Sequence, residues 1–232
     1  MIRIEVPESW RSTVAVVASV DETDLAESFT DSEHARIASF PREKRRREWA
    51  ASRMAAKLLA VETGLCASFR DCTVASAYRR PALTIHGEPS PLGVSITHSD
   101  GAGAAAISPT RIGIDLQLVR PMKDRSTKFF LNDDELEIWR KSSLADPLIH
   151  LWCAKEAGYK LHAMPGWYRA VKIELVEERA DGLLLKYTDP LSQGTIETVR
   201  LEDGFVFGTA TKTGARGQGP GTRERQRQPL SS

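Results

Sequence analysis

The sequence predicts an α+β protein, and three observations carry that reading. Helix-like and strand-like stretches come in blocks rather than in strict alternation. Helix-start signals fall at Asp21, Pro41, Asn132 and Asp146, and strand-like runs crowd the part of the chain after Pro165. A chain of 232 residues, 41% hydrophobic and 27% charged, can bury a real core as one large domain or two small ones. The order helices, meander, helices, second sheet suggests two similar halves, although no internal repeat is visible. The expected division is 1–108, 109–213, and a disordered, mildly basic tail over 214–232.

In chain order, Thr13 to Val20 is short and β-branched and reads as the first strand. Acidic residues from Asp21 to Asp31 start a helical stretch reaching about Phe40. Pro41 and the run Arg42 to Arg47 open a second helix through Trp49, Met54 and Leu59, with Gly64 placed to end it. Ala75 to Pro91 is rich in Pro and Gly and reads as loop with one short strand. Gly93 to Thr97, Ala102 to Ser108 and Arg111 to Val119 are closely spaced apolar runs, which predicts an antiparallel meander. Asn132 with Glu135 three residues on is a capping-box pattern. Asp146 and Pro147 open a helix to about His162. Four strands follow, at Ala170 to Val176, Leu183 to Tyr187, Thr195 to Leu201 and Phe205 to Thr211, with a hairpin signal at Glu202-Asp203-Gly204.

Composition removes several function classes. A formal charge of +1 gives no global pull on nucleic acid, so anion binding must come from local clustering. Cys66, Cys72 and Cys153 are too few for a disulfide scaffold and lack metal-ligand spacing, which fits a reduced cytoplasm. No segment reaches the roughly 20 apolar residues that span a bilayer, and no export signal is seen, so a soluble, unexported protein is expected. Ser99 lacks a nucleophile-elbow context, and Gly101 and Gly103 fit neither a Walker nor a Rossmann loop.

What remains is a set of residues suited to phosphate and divalent metal. Asp115 and Gln117 stand two apart on a strand, so their side chains share a face and offer oxygen ligands that Mg²⁺ prefers. The plainer reading is a strand end at a turn. Lys155, Glu156 and Lys160 lie on one helix, and Glu156 to Lys160 is also an ordinary i,i+4 ion pair. From Glu33 to Lys57 there are eight Lys or Arg against three acids, a face that is either solvated or docks polyphosphate or nucleic acid. Arg79-Arg80 adds two loop cations. His98, between Thr97 and Ser99, is either a hydrogen-bonded structural group or part of an anion site.

Taken in order, Ile96-Thr97-His98-Ser99, Gly113-Ile114-Asp115 and Trp152-Cys153-Ala154-Lys155-Glu156-Ala157-Gly158-Tyr159-Lys160 resemble the motifs of the 4′-phosphopantetheinyl transferases. The type resembled is the larger monomeric one that activates surfactin synthetase. The resemblance implies halves related by a pseudo-twofold axis, with coenzyme A and Mg²⁺ bound between them. It implies transfer of phosphopantetheine to a serine of an acyl, peptidyl or aryl carrier protein, releasing adenosine 3′,5′-bisphosphate, by a monomer that binds neither nucleic acid nor membrane. By the same resemblance Asp115, Gln117 and Glu156 hold the metal, and Glu156, Lys155 and Lys160 serve the reaction. Arg80, Thr97, His98, Arg53 and Lys160 contact coenzyme A. Gln117 stands where the family often has Glu, which implies weaker Mg²⁺ binding. The alternative is a relative that binds coenzyme A or a nucleotide without turnover. On charge grounds, a glutamate flanked by lysines is expected to stay ionised.

Overall fold

In the computed structural model the described residues are 1–77, 80–162, 168, 171–189 and 192–212. Arg79, the Pro165-Gly166 break, the Ala170 start of a predicted strand and everything after 212 lie outside them. The chain opens on a three-residue strand, β1 (Ile2–Ile4), too short to show a period in sequence. It pairs antiparallel with β2 (Val14–Ser19), the strand expected near Thr13.

The acidic stretch is two helices, α1 (Glu22–Ser28) and α2 (Asp31–Ala38), rather than one. Phe29 is extended and buried between them, and Thr30 caps α2 in a reciprocal box with Glu33, which the sequence reading passed over. Helix α3 (Glu43–Glu62) ends where expected. Gly64 takes φ 72°, and Leu65 N–H returns 2.8 Å to the Ala60 carbonyl, the closure a left-handed residue allows.

The segment expected as loop is a small sheet, β3 (Cys72–Ala77), β4 (Arg80–Ile85) and β5 (Glu88–Pro89). Its turn and breaker residues misled the reading. His86 and Gly87 have positive φ in a tight hairpin, and Pro89 sits on the edge strand, where no ladder donor is needed.

The predicted meander divides between two sheets. Strands β6 (Gly93–Ser99) and β7 (Ala102–Ser108) form a hairpin in a four-stranded sheet ordered β1-β2-β7-β6. Strand β8 (Ile112–Leu118) instead pairs with the last strand of the chain. It begins a five-stranded sheet ordered β8-β12-β11-β10-β9, in which β9 is Lys172–Arg179, β10 Gly182–Thr188, β11 Gln193–Arg200 and β12 Phe205–Lys212. The free side of β7 is already taken by β2, so β8 has no ladder to join there. Helices α4 (Thr127–Phe130), α5 (Asp133–Lys141) and α6 (Pro147–His162) lie between β8 and β9 in sequence.

Each large sheet carries one long helix. Trp49, Met54 and Leu59 of α3 pack with Phe29 and Val17, while Leu151, Ala154 and Leu161 of α6 pack with Leu185 and Tyr187. Val14, Val16 and Ala104 of one sheet meet Ile114, Leu116 and Phe207 of the other in a third cluster. Two glycines let the helices sit this close. A Cβ on Gly103 would lie 2.1 Å from Ser52 N on α3, and one on Gly113 would lie 2.0 Å from the Ala157 carbonyl oxygen on α6. Among the described residues, no helix is long and apolar enough to cross a membrane.

Candidate active site

Strands β6 and β8 are the facing edges of the two sheets, and side chains join them where a backbone ladder is missing. Ser95 Oγ accepts from Ile114 N–H at 3.1 Å, and Ser99 Oγ accepts from Leu118 N–H at 3.0 Å. Between these, Thr97 Oγ1 donates 2.9 Å to Asp115 Oδ1. Numbers rise together on both strands, so the edges run parallel. Of the hydroxyls at every second position of β6, Ser95 and Ser99 cover amides that an edge would otherwise leave open, and Thr97 serves the carboxylate.

This seam seats Asp115, which is 2% exposed. Its Oδ1 also accepts from Lys160 Nζ at 2.6 Å, and its Oδ2 accepts from Gln117 Nε2 at 2.6 Å. Glu156 stands one turn before Lys160 on α6 and accepts a 2.7 Å hydrogen bond from Tyr168 at Oε1. Burial raises the Glu156 pKa most, and the Asp115 charge adds to it, while Tyr168 and Lys160 act the other way. Of the lysines expected to flank it, only Lys160 opposes that rise. Lys160 turns to Asp115, and Lys155 faces elsewhere.

On the β6 side, His98 collects the cations of α3. Its Nδ1 lies 3.3 Å from Glu48 Oε2, and its Nε2 meets Arg45 Nη1. A guanidinium can only donate, so Nε2 accepts and the proton sits on Nδ1, toward Glu48. That bond makes the ring neutral, and burial first and Arg45 second lower its pKa against the opposing charge of Glu48.

Arg53 is the least satisfied charge in this region. It is 7% exposed, its guanidinium lies 4.5 Å over the Trp49 ring, and Nη1 donates to Ser52 Oγ at 3.1 Å. Its Nε has no hydrogen-bond partner among the described residues, and burial lowers its pKa to about 10. A buried cation beside the exposed Arg45 favours a counter-anion nearby, while Nε itself is shielded from solvent.

The remaining predicted residues fall outside this cluster. Arg80 Nη2 donates 3.1 Å to the His162 carbonyl and so closes the end of α6. Lys155 is 0% exposed. Its Nζ donates to Glu135 Oε1 at 2.6 Å and to the Tyr168 and Val171 carbonyls at 2.7 and 3.3 Å. The basic helix is not a single face either, because Lys57 is buried against Glu33 at 3.0 Å and the Phe69 carbonyl at 3.0 Å. Sequence reasoning missed Tyr168, Glu48 and the second role of Glu135. The capping box at Asn132 is present, but the other oxygen of Glu135 serves Lys155. Only the Ser95-x-Thr97-x-Ser99 period was available as a signal for the seam.

Asp115 and Glu156 form a hard-oxygen pair suited to a cation that keeps water and substrate phosphate in its shell, so Mg²⁺ fits this donor set. Among the described residues, no three of His, Cys, Asp and Glu gather as a metal group, and the Gln117 amide donates to Asp115 Oδ2 at 2.6 Å.

Residues 111–209 match the family model of the 4′-phosphopantetheinyl transferase superfamily. The matched stretch runs from just before β8 into β12 and contains Asp115, Gln117, Lys155, Glu156 and Lys160, but not Arg53, Arg80, Thr97 or His98. It supports a transferase of the phosphopantetheinyl transferase kind. No curated protein matches the chain.

Proposed function

We propose that this protein moves the phosphopantetheine arm of coenzyme A onto a serine hydroxyl of an acyl, peptidyl or aryl carrier protein. The observation that carries the proposal is a seam where two carboxylates and Lys160 lie near the cations of α3. Lys160 bonds Asp115 on the β8 side, and neutral His98, the exposed Arg45 and the buried Arg53 lie on the β6 side. Such an arrangement suits a pyrophosphate ligand with a terminal phosphate, because each charged group has a complementary one.

In this reading Arg53, Arg45 and neutral His98 hold the adenosine phosphates. A bound phosphate would set a counter-charge beside the Arg53 guanidinium, whose pKa is lowered first by burial and then by Arg45. Thr97 keeps Asp115 oriented through its 2.9 Å bond. Lys160 offsets charge at the pyrophosphate, and Arg80 supports the site by holding the end of α6. Asp115 and Glu156, with Gln117 through its amide or a water, would hold Mg²⁺, which when bound supplies charge neutralisation at the pyrophosphate. The serine oxygen attacks the phosphorus that bears pantetheine, and the bond to adenosine 3′,5′-bisphosphate breaks. The serine proton goes to Glu156, whose raised proton affinity suits it as a base. Lys155, sealed in the interior, serves the fold rather than the phosphates.

The finer assignment is to the larger monomeric type that activates surfactin synthetase, with halves 1–108 and 109–213 related by a pseudo-twofold axis. The paired glycine contacts support that relation, since each half lays one long helix on its sheet over a Gly (α3 on Gly103, α6 on Gly113). Three buried free cysteines suit a reducing cytoplasm.

The test is incubation with coenzyme A, Mg²⁺ and a panel of apo carrier proteins, read by mass spectrometry. A carrier that gains one phosphopantetheinyl group supports the proposal, and no gain on any carrier overturns it. A second reading, coenzyme A binding without turnover, is favoured by one observation. Both oxygens of Asp115 already accept hydrogen bonds, one from the neutral Gln117. It predicts calorimetric binding of coenzyme A with no mass gain at any Mg²⁺ concentration.

A further inference from the structure

Tyr168 is held from three directions and touches the site with its last atom. Its ring lies between Trp152 and Tyr159, with centroids 5.8 and 5.2 Å away and interplanar angles of 9° and 18°. Its carbonyl accepts the 2.7 Å hydrogen bond from Lys155 Nζ. Lys155 is itself fixed by Glu135 Oε1, which also accepts from Ile173 N–H at 3.2 Å, while Glu135 Oε2 closes the cap of α5. With ring and carbonyl fixed, the phenol has one place to go, and it donates 2.7 Å to Glu156 Oε1. Trp152, Glu156 and Tyr159 share one stripe of α6, so the residues that hold the ring flank the carboxylate that receives its hydroxyl.

A glutamate carboxylate turns freely about its terminal bond, and Asp115 repels this one. That rotation exchanges Oε1 and Oε2, so a partner fixed on one oxygen decides which of them is left to face a ligand. We propose that Tyr168 is a positioning residue. Clamped by Lys155 and the aromatic stack, its hydroxyl holds Glu156 toward Asp115 and leaves Oε2 for the cation and the serine proton. The proposal rests on the transferase reading and gives the buried Lys155 a purpose, as the anchor of Tyr168.

Tyr168→Phe is the test, because it keeps the ring stack and the Lys155-to-carbonyl bond and removes only the hydroxyl. Mn²⁺ binding in the presence of coenzyme A is followed by electron paramagnetic resonance, beside kcat and KM for a carrier protein. The variant is expected to keep a cooperative melt and the carrier KM, and to lose about 10–100-fold in Mn²⁺ affinity and in kcat, as groups that orient a metal ligand do. A purely structural tyrosine would change the melt and leave the metal affinity alone, and that result overturns the proposal. The two readings also separate. If the wild type transfers and Tyr168→Phe binds Mn²⁺ and turns over equally well, the positioning role falls and the transferase stands. If the wild type binds Mn²⁺ in a Tyr168-dependent way but modifies no carrier, the positioning role stands and the transferase falls.

Discussion

Gly113→Ala is a one-methyl change that probes how α6 is seated on β8. A Cβ there would lie 2.0 Å from the Ala157 carbonyl oxygen, 2.5 Å from Leu161 N and 3.0 Å from Leu161 Cβ. Real Cβ contacts do not fall below 3.0 Å, so strand and helix must part by about 1 Å, and the obstructing atoms are mostly backbone, which has no rotamer to yield. Overpacking of this kind costs about 1–3 kcal/mol. For a chain of this size each kcal/mol lowers Tm by about 2–4 °C, which gives a fall of about 2–12 °C. Ala157 and Leu161 follow Glu156 and Lys160 directly, so the retreat carries both away from Asp115. A misplacement of about 1 Å at a reacting group costs about 100-fold in rate. Calorimetry with the carrier assay reads both effects. Gly103→Ala is the matched control, since its Cβ would lie 2.1 Å from Ser52 N and push α3, hence Arg53, instead. It should destabilise similarly but weaken coenzyme A binding while sparing kcat. A Gly113→Ala protein with wild-type Tm and rate, or the same kinetic defect in both variants, would refute the argument that each glycine seats its own half of the site.

Arg53→Met should weaken coenzyme A binding by about 10–100-fold, the worth of a hydrogen bond to a charged group, with Tm unchanged or higher because a poorly paired buried charge is gone. Titration calorimetry with an unaltered Kd would remove Arg53 from the phosphate pocket. Lys155→Met strands Glu135, which is fully buried, and should cost about 3–5 kcal/mol at neutral pH in denaturant melts. That penalty should shrink as pH falls and Glu135, whose pKa burial already raises, takes a proton. A pH-independent penalty would count against the buried ion pair. Glu156→Gln should abolish transfer yet stabilise the metal-free protein at pH 7. A carboxyl whose folded pKa is raised binds protons more readily folded than unfolded, so its destabilising effect is present above the folded value. The advantage of the variant should fade as pH drops through that raised value toward the unfolded value of about 4.3. Equal melting temperatures for variant and wild type at pH 7 would contradict the sign.

Much of the secondary structure was legible from local chemistry. The start of α6 at Pro147, the end of α3 at Gly64, the box at Asn132 and Glu135, and the hairpin at Gly204 depend on residues within a few positions of each other. Misreadings arose where neighbours in space decided. The segment before Pro91 carries turn residues at a sheet edge, and β8 joined β12 because β2 already held β7.

By itself the sequence determined the α+β class, the helix and strand signals, and the spacing that puts Asp115 with Gln117 and Glu156 with Lys160 on shared faces. It could not distinguish Lys155 from Lys160, two cations of one helix, because the difference is which wall each meets. Tertiary packing sealed one against Glu135 and turned the other to Asp115. It likewise divided the basic helix into a buried tie at Lys57 and a buried guanidinium over Trp49 at Arg53, and brought Tyr168 onto Glu156. Periodicity fixes the direction of a side chain about its own axis, whereas burial and the partner it finds depend on elements distant in sequence, and those set charge, protonation and reach.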